Sequence, residues 1–195
     1  EPNQVQPASI SAFVGGFDLA AAQSVTGISV KYQVLDQLML LVDKSLLIAD
    51  EVGTDTRYRL LETMRQYALE KLGESGEAGE IRDRHRSHYA KVARGLDAPP
   101  GSDQERRLSS AESELDNLRA AFGWCVDNEE IDEALALASA LQPLCYSRSH
   151  WREGNGWFEW ALNQNDGRAS SVVETSALAD KAVLEMFSDA GAGYE

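Results

Sequence analysis

Three residues in the middle of the chain have the chemistry of metal ligands. Asp83, His85 and His88 are close in sequence, and the two imidazoles are three positions apart. On a helix this spacing places both imidazoles on one face, where they could bind a divalent metal ion. The chain has 3 histidines in all, and neither cysteine lies near these two. We therefore predict no metal site and expect His85 and His88 to pack half-buried.

Motifs for nucleotide hydrolysis and nucleophilic catalysis are missing from the sequence. A P-loop needs Gly-x4-Gly-Lys-Ser/Thr, because backbone amides and the lysine surround the phosphates, and no stretch has this spacing. Gly154 and Gly156 precede Trp157, so they do not form a dinucleotide-binding loop. No Ser/His/Asp or Cys/His set has a spacing typical of a nucleophile and its base. We expect no enzyme and no cofactor bound by this chain.

Tryptophans form a second cluster in the sequence. Trp151, Trp157 and Trp160 lie close together, with Phe158 between them. Such rings could line a groove for a ligand or partner. Large apolar side chains are more commonly part of a core, and we prefer that interpretation. The three tryptophans remain a candidate interaction surface.

Four basic residues in the stretch RYRLLETMRQYALEKL could contact DNA: Arg57, Arg59, Arg65 and Lys71. DNA-binding modules usually carry a basic stripe, because the duplex is a polyanion. Residues 1–75 instead hold 6 Lys/Arg and 10 Asp/Glu, a net charge of −4. This balance argues against DNA as the main partner of this chain.

The whole chain is acidic, with a formal net charge of −14 over 195 residues. Cys125 and Cys145 lie in apolar, helical surroundings and are expected to be buried free thiols in a reducing compartment. The start of the chain lacks the basic and apolar regions of a secretory signal. The longest apolar run, LMLLV, is too short to cross a bilayer. We expect a cytoplasmic protein without membrane contact, cut from something longer.

The elements that would position these residues are mostly helices. Polar residues and two prolines predict a disordered lead-in at residues 1–9. After it, Gly15 and Gly16 predict a turn or helix end. Asp18 is expected to cap a short helix that Gly27 ends.

A helix, a hairpin and a second helix should follow. Apolar positions spaced by 3, 4 and 7 predict a helix over 32–44. Two short strands near 46–49 and 57–60 predict a β-hairpin. The next helix begins at the end of the hairpin without a loop. The order of elements over 10–75 predicts a winged-helix domain.

The rest of the chain reads as helical. Residues 76–100 are expected to form a connecting helix over 77–96 and a proline linker, because Pro99 and Pro100 cannot continue a helix. Residues 101–195 predict the start of an antiparallel, tetratricopeptide-like helical array. Its helices are expected at four places: about 103–127, about 130–148, the stretch WREGNGWFEWALNQ and about 171–190. The predicted fold class is mainly α, a winged-helix domain with a small β-hairpin followed by this array.

Several stretches occur in an order known from one family. They are ISAFVGGFDLAAAQSV, VLDQLMLLVDKSLL, TRYRLLETMRQYALEKLGESGEAGEIRDRHRSHYAKVA, ESELDNLRAAFGWC and WREGNGWFEWAL. This order resembles the winged-helix plus tetratricopeptide-like region of bacterial STAND-type, NB-ARC-like signalling ATPases, which include large transcriptional regulators. The resemblance covers about residues 10–165 and is most specific over 57–89. It implies that ATP or ADP binds in a nucleotide-binding domain of the parent chain, outside this segment.

In related ATPases the strand-to-helix join behind the wing carries a Met-His-Asp motif, whose histidine reaches the β-phosphate of bound ADP. The positions that match by resemblance are Leu60, Leu61 and Glu62. A leucine cannot donate a hydrogen bond to phosphate. This degenerate nucleotide-sensor position therefore does not predict the usual ADP lock, although Glu62 retains an acid that could cap the helix.

The resemblance implies a non-catalytic regulatory segment. The helical array would receive an unknown protein or small-molecule signal and relay it to the nucleotide-binding domain. Two alternatives stay open. One is a DNA-binding winged-helix transcription regulator, and the other is a stand-alone tetratricopeptide-like scaffold for protein interactions.

Overall fold

The computed structural model describes residues 5–53, 55–99 and 101–191, with side chains up to residue 187. Within them the predicted fold class is confirmed: the chain is mainly helical, with a small antiparallel sheet and a winged-helix domain. The chain divides into two compact units, residues 1–89 and 90–195. The division lies before the linker predicted at Pro99 and Pro100.

The first unit begins with helix α1, Pro7–Ile10. The structure therefore differs from the lead-in predicted for 1–9: Val5 and Ile10 are buried, and Pro7 opens the helix, where its fixed φ is favourable. Residues 1–4 lie outside the described residues. The elements that follow are β1 (Gly16–Phe17), α2 (Leu19–Thr26), α3 (Lys31–Asp43), β2 (Leu47–Val52), β3 (Asp55–Leu60), α4 (Glu62–Ser75) and α5 (Ala78–Arg94).

The three strands form one antiparallel sheet in the order β1-β3-β2. The predicted hairpin is confirmed and is longer than expected, with Ala49 opposite Tyr58. Strand β1 lies where the sequence predicted a turn or helix end, and Gly16 pairs with Arg59. A two-residue strand has no alternating pattern to detect, so sequence periodicity could not reveal it.

Helices α2 and α3 form a helix-turn-helix pair. The Asp18 carboxylate accepts a hydrogen bond from the Ala21 amide at 2.7 Å, which confirms the predicted N-cap. Gly27 ends α2 with φ +72°, a left-handed conformation that favours glycine. Apolar side chains of α3 face the core of the unit: Val34, Leu38 and Leu41.

Aromatic rings fill the centre of the first unit. Phe13 stacks on Phe17 with ring centroids 4.2 Å apart, and His85 lies 5.4 Å from Phe13 and 4.6 Å from Tyr89. His85 is only 3% exposed, so it is more deeply buried than predicted, whereas His88 is half-buried. The expectation of a packing role matches this geometry. Among the described residues, no cluster of His, Cys, Asp and Glu could hold a metal ion.

In its described residues, the second unit contains the end of α5, a 3₁₀ turn and five helices. They are the turn Gly95–Asp97, α6 (Gln104–Ser113), α7 (Leu115–Asp127), α8 (Ile131–Ser147), α9 (Trp151–Asn163) and α10 (Ser171–Gly191). Helix α8 is central and contacts α6, α7, α9 and α10. Pro143 lies inside α8 without ending it. In the described part of the chain, no helix combines the length and the apolarity needed to cross a bilayer.

The predicted helix over 103–127 is in fact two helices, separated at Glu114. The backbone there has φ −101° and ψ 7°, and the nearly buried Glu114 carboxylate accepts a hydrogen bond from Asn117 at 3.0 Å. Because this stretch has no proline and its apolar spacing continues across Glu114, the pattern predicted one helix. Asn117 lies in the first turn of α7, at this junction.

Gly154 brings three helices of the second unit together. A Cβ at this position would lie 2.8 Å from Leu184 Cδ1 and 3.1 Å from Cys145 Sγ. Both cysteines are buried and free, as predicted, and burial raises the pKa of the Cys145 thiol to about 12. A side chain at this position would require Leu184 and Cys145 to shift, so the close approach of α9 to α8 and α10 favours glycine.

Candidate functional site

The first turn of α3 presents exposed polar and aromatic groups. In a helix-turn-helix, the second helix enters the DNA major groove and its first residues contact base edges. The corresponding residues here are Lys31, Tyr32 and Gln33, all exposed, with Tyr32 at 78%. Lysine and glutamine are side chains that can read bases or phosphates. This turn is the candidate DNA contact, and the sequence analysis missed it because it followed charge in the later stretch 57–72.

The second half of α3 has a different surface. Met39 and Leu40 are each 55% exposed, and the exposed carboxylates Asp36 and Asp43 lie beside them. We call these four residues the α3 stripe. An exposed apolar pair framed by acids is typical of a protein contact and is repelled by phosphates.

All four basic residues that the sequence analysis considered for DNA contact already make hydrogen bonds or ion pairs within the chain. Arg57 donates to the Gly16 carbonyl at 2.9 Å, and Arg59 pairs with Asp50 at 3.1 Å. On α4, Arg65 donates to Glu62 and lowers the pKa of that carboxyl, while Lys71 pairs with Glu74 at 2.6 Å. These contacts reduce the positive charge that the hairpin and α4 offer to a duplex.

The join between β3 and α4 is as short as the sequence predicted. Leu60 ends the strand and is buried, Leu61 is extended with φ −63° and ψ 141°, and Glu62 begins the helix. Leu61 is 40% exposed, and its carbonyl accepts the Arg65 amide at 2.8 Å. Glu62 accepts hydrogen bonds from the side chains of Arg65 and Gln66. The Glu62 carboxylate thus stabilises the first turn of α4 by accepting hydrogen bonds from side chains, whereas the sequence analysis expected it to cap the helix.

Arg84 of α5 holds the turn between α2 and α3. Its guanidinium donates to the Thr26 carbonyl at 3.2 Å and pairs with Glu80 at 2.6 Å. A Cβ at Gly27 would approach Arg84 Nη1 to 2.8 Å. The connecting helix therefore fixes the turn that orients α3. No sequence signal pointed to this contact, because the partners are far apart in the chain.

The three tryptophans do not form one surface. Trp157 stacks on Phe122 with centroids 5.1 Å apart, and Trp160 meets the same ring edge-on at 6.1 Å. Trp151 instead donates its indole N–H to the Tyr146 carbonyl at 3.2 Å. All three are half-buried. Two of them thus pack α9 on α7, and their role as an interaction surface stays a prediction.

Ion pairs join the helices of the second unit. Arg119 of α7 donates to both carboxylate oxygens of Glu153 on α9, at 2.6 and 2.8 Å. These hydrogen bonds lower the pKa of Glu153. Arg148, after α8, pairs with Glu105 at 2.5 Å and Glu112 at 2.7 Å on α6.

The family comparison matches the first unit. Residues 8–73 match the model of the winged helix-turn-helix domain, so the chain contains such a domain. No solved structure matches the chain.

Curated relatives come from mycobacteria. The chain is 51% identical over 189 residues to proteins of Mycobacterium tuberculosis and Mycobacterium bovis that are named as HTH-type transcriptional regulators, and the match covers 94% of this chain. An uncharacterised M. tuberculosis protein is 44% identical over 82 residues, 40% of this chain and 21% of that protein. The chain spans about a fifth (21%) of the length of the regulators.

These matches support a winged-helix segment that is similar to transcriptional regulators. They favour the DNA-binding regulator, which the sequence analysis kept as an alternative, over the ATPase-fragment interpretation. The sequence analysis argued against DNA from the net charge of residues 1–75, and these matches correct that argument. A net charge summed over 75 residues does not describe the local surface of α3.

Proposed function

We propose that this chain is a regulatory region of a DNA-binding transcriptional regulator. The observation that carries the proposal is the winged helix-turn-helix domain at residues 8–73, in a chain that is 51% identical to proteins named as HTH-type transcriptional regulators. The chain would act by binding, without catalysis and without a cofactor of its own. It would work in the cytoplasm, where such regulators meet DNA.

Direct DNA contact would use the first turn of α3. Lys31 and Gln33 would reach base edges or phosphates, and the hairpin would lie along the backbone. The acidic groups nearby would weaken the complex, so we expect measurable binding only at low salt, with a salt dependence that reflects the small number of phosphates neutralised.

Fluorescence anisotropy with a labelled duplex from the promoter of the gene's own operon tests this contact. We expect binding at about 50 mM salt that is weaker at about 200 mM. The double variant Lys31→Ala/Gln33→Ala should lose about tenfold in affinity, because a good base contact contributes about 1–3 kcal/mol.

Gln66→Ala/Lys71→Ala on α4 is the matched control, and it removes the same residue types from exposed positions. It should bind within about twofold of the original chain, since neither side chain lies on α3. Equal losses in both double variants, or no binding to any duplex at low salt, would contradict DNA reading by α3.

A second candidate role is a relay to a nucleotide-binding domain, as the family resemblance implies. The observation that favours it is the abrupt β3–α4 join, which leaves Leu61 partly exposed beside a helix N-terminus. In the full-length protein, Leu61→His should slow the release of ADP if the join faces the nucleotide. Unchanged release, measured with a fluorescent ADP analogue, would count against this role.

The helical array would supply the signal to either mechanism. One pocket of about 250 Å³ in the second unit has an apolar floor and two arginines at its side; it is lined by Val92, Gly95, Leu96, Arg106, Arg107, Ser110 and Ala111. A pocket of this size would admit only a small ligand, and the half-buried Trp151, Trp157 and Trp160 would be separate contacts for a protein. Both are proposals for where the unknown signal binds.

A further inference from the structure

The α3 stripe is an uncovered surface on an otherwise well-packed helix. Met39 and Leu40 are each 55% exposed, whereas Val34 and Leu38 of the same helix are fully buried. At about 100° per residue, the four stripe residues lie within an arc of about 100°. The stripe is therefore one continuous face of about two turns, distinct from the core face.

The chemistry of the stripe defines what could cover it. Met39 offers a flexible, polarisable side chain that adapts to different apolar partners, and Leu40 adds branched apolar area. Asp36 and Asp43 lie one above and one below this pair. A partner surface that buries the apolar pair must also meet two carboxylates, so charge complementarity requires lysine or arginine on both sides of an apolar centre.

We propose that the α3 stripe binds a basic amphipathic helix of a partner protein. Leucine-like side chains of that helix would cover Met39 and Leu40, and its flanking lysines or arginines would pair with Asp36 and Asp43. The inference rests on the proposed regulatory function. It concerns the second half of α3, which DNA contact through Lys31 and Gln33 would leave uncovered. DNA itself does not fit the stripe, because its phosphates would face two carboxylates.

A panel of three synthetic helical peptides, each about four turns long, provides the probes. They share one leucine face and differ only in their flanking residues, which are all Lys, all Gln or all Glu. Anisotropy titrations against the 195-residue chain should rank the Lys peptide first and the Glu peptide last. Amide chemical-shift changes caused by the Lys peptide should centre on α3.

Variants of the chain test the location of the site. Met39→Ala/Leu40→Ala should weaken the Lys peptide about tenfold, as expected for two central apolar contacts. Its matched control is Leu178→Ala/Met186→Ala, which removes the same residue types from exposed positions of α10 and should change affinity less than twofold. Asp36→Lys/Asp43→Lys should reverse the order of the Lys and Glu peptides.

Three results would overturn the proposal: no binding of the Lys peptide, equal binding of all three peptides, or shift changes centred elsewhere. Because peptide and duplex are measured separately, loss of DNA binding alone leaves this inference intact and contradicts only the DNA contact.

Discussion

At the scale of single residues, the contact between Gly27 and Arg84 determines how firmly α3 is held. Gly27 has a left-handed backbone, and the Arg84 guanidinium fills the space where a side chain would begin. This one position thus combines a conformational requirement with a steric one. The turn before α3 depends on both.

Gly27→Ala should destabilise the chain more than Gly76→Ala. Both glycines end helices with positive φ, but a Cβ at Gly76 meets nothing within 4 Å. We expect Gly76→Ala to cost about 1–2 kcal/mol through the backbone alone, and Gly27→Ala to cost about 1 kcal/mol more through the displaced Arg84 hydrogen bond. Urea unfolding measures both.

The double variant Gly27→Ala/Arg84→Ala separates the two causes. Its loss of stability should be smaller than the sum of the single losses, because removing Arg84 also removes the clash. Simple additivity would show that Arg84 does not restrict this turn.

Glu153 should make stability depend on pH in the acid range. Hydrogen bonds from Arg119 hold the pKa of Glu153 below its ordinary value of 4.5. A carboxyl with a lowered folded pKa stabilises the fold above its unfolded pKa, and this contribution is lost as pH falls through the folded pKa.

Glu153→Gln should therefore be less stable than the original chain at pH 7, with a difference that shrinks as pH falls below about 4.5. Unfolding in urea at a series of pH values checks this. Glu159→Gln, an exposed position on the same helix, is the control and should leave the pH profile unchanged. A difference for Glu153→Gln that stays constant with pH would refute the role of the ion pair.

Helix ends were predicted correctly where a residue type has one well-defined role at that position. Asp18 and Gly27 were predicted as helix ends and are helix ends, because a carboxylate cap and a left-handed glycine leave a recognisable local pattern. Arg84 was not predicted, because its partner Thr26 lies 58 residues away and a basic residue has many possible partners.

At the scale of elements, the packing of α9 against α8 and α10 depends on Gly154. Leu184 and Cys145 occupy the space next to its Cα. Gly156 lies on the same helix with open space around it. A side chain would therefore be tolerated at Gly156 but would collide with neighbours at Gly154, although the two glycines of WREGNGWFEWALNQ look alike in the sequence.

Gly154→Ala should cost about 1–3 kcal/mol, as overpacking does in close-packed cores. Gly156→Ala should instead stabilise the chain by about 0.5–1 kcal/mol, because alanine has the higher helix propensity. Thermal and urea unfolding of both variants test the pair. Equal effects of the two substitutions would contradict the close approach of the three helices.

The periodicity of apolar residues predicted most of the helices and the hairpin, but it did not predict all of their boundaries. The hairpin, α3 and the helices after Pro100 were predicted from apolar spacing, which tertiary packing then satisfied. The break at Glu114 and the strand Gly16–Phe17 were not, because one depends on a buried carboxylate that bonds Asn117 and the other on pairing with a distant strand. Both are tertiary features without a local pattern.

At the scale of the whole molecule, the acidic balance weighed against the DNA-binding alternative, which the comparisons favour over the ATPase-fragment interpretation. A net charge of −14 describes solubility and long-range repulsion, whereas recognition depends on a few side chains. The first turn of α3 and the α3 stripe differ in chemistry although they share one helix. Neither could be located before it was known which residues of 31–43 face outward.

The two-part surface of α3 leads to a prediction about salt. DNA binding through Lys31 and Gln33 should weaken as salt rises, because salt reduces the free energy gained by releasing counterions from the phosphates. Binding of the Lys peptide should weaken only moderately, since much of its contact is apolar. Parallel titrations at several salt concentrations compare the two slopes, and equal slopes would indicate that one electrostatic surface binds both ligands.

The central claim is that this chain regulates transcription through the outward surface of α3. The most direct measurement introduces Lys31→Ala/Gln33→Ala and Met39→Ala/Leu40→Ala into the chromosomal gene of the source organism and compares transcript levels, with Leu178→Ala/Met186→Ala as the control and protein abundance matched by immunoblot. The account predicts that a shared set of transcripts changes at least about twofold in one or both α3 variants and stays unchanged in the control. Transcript levels that are unaffected by both α3 variants at equal protein abundance would contradict it.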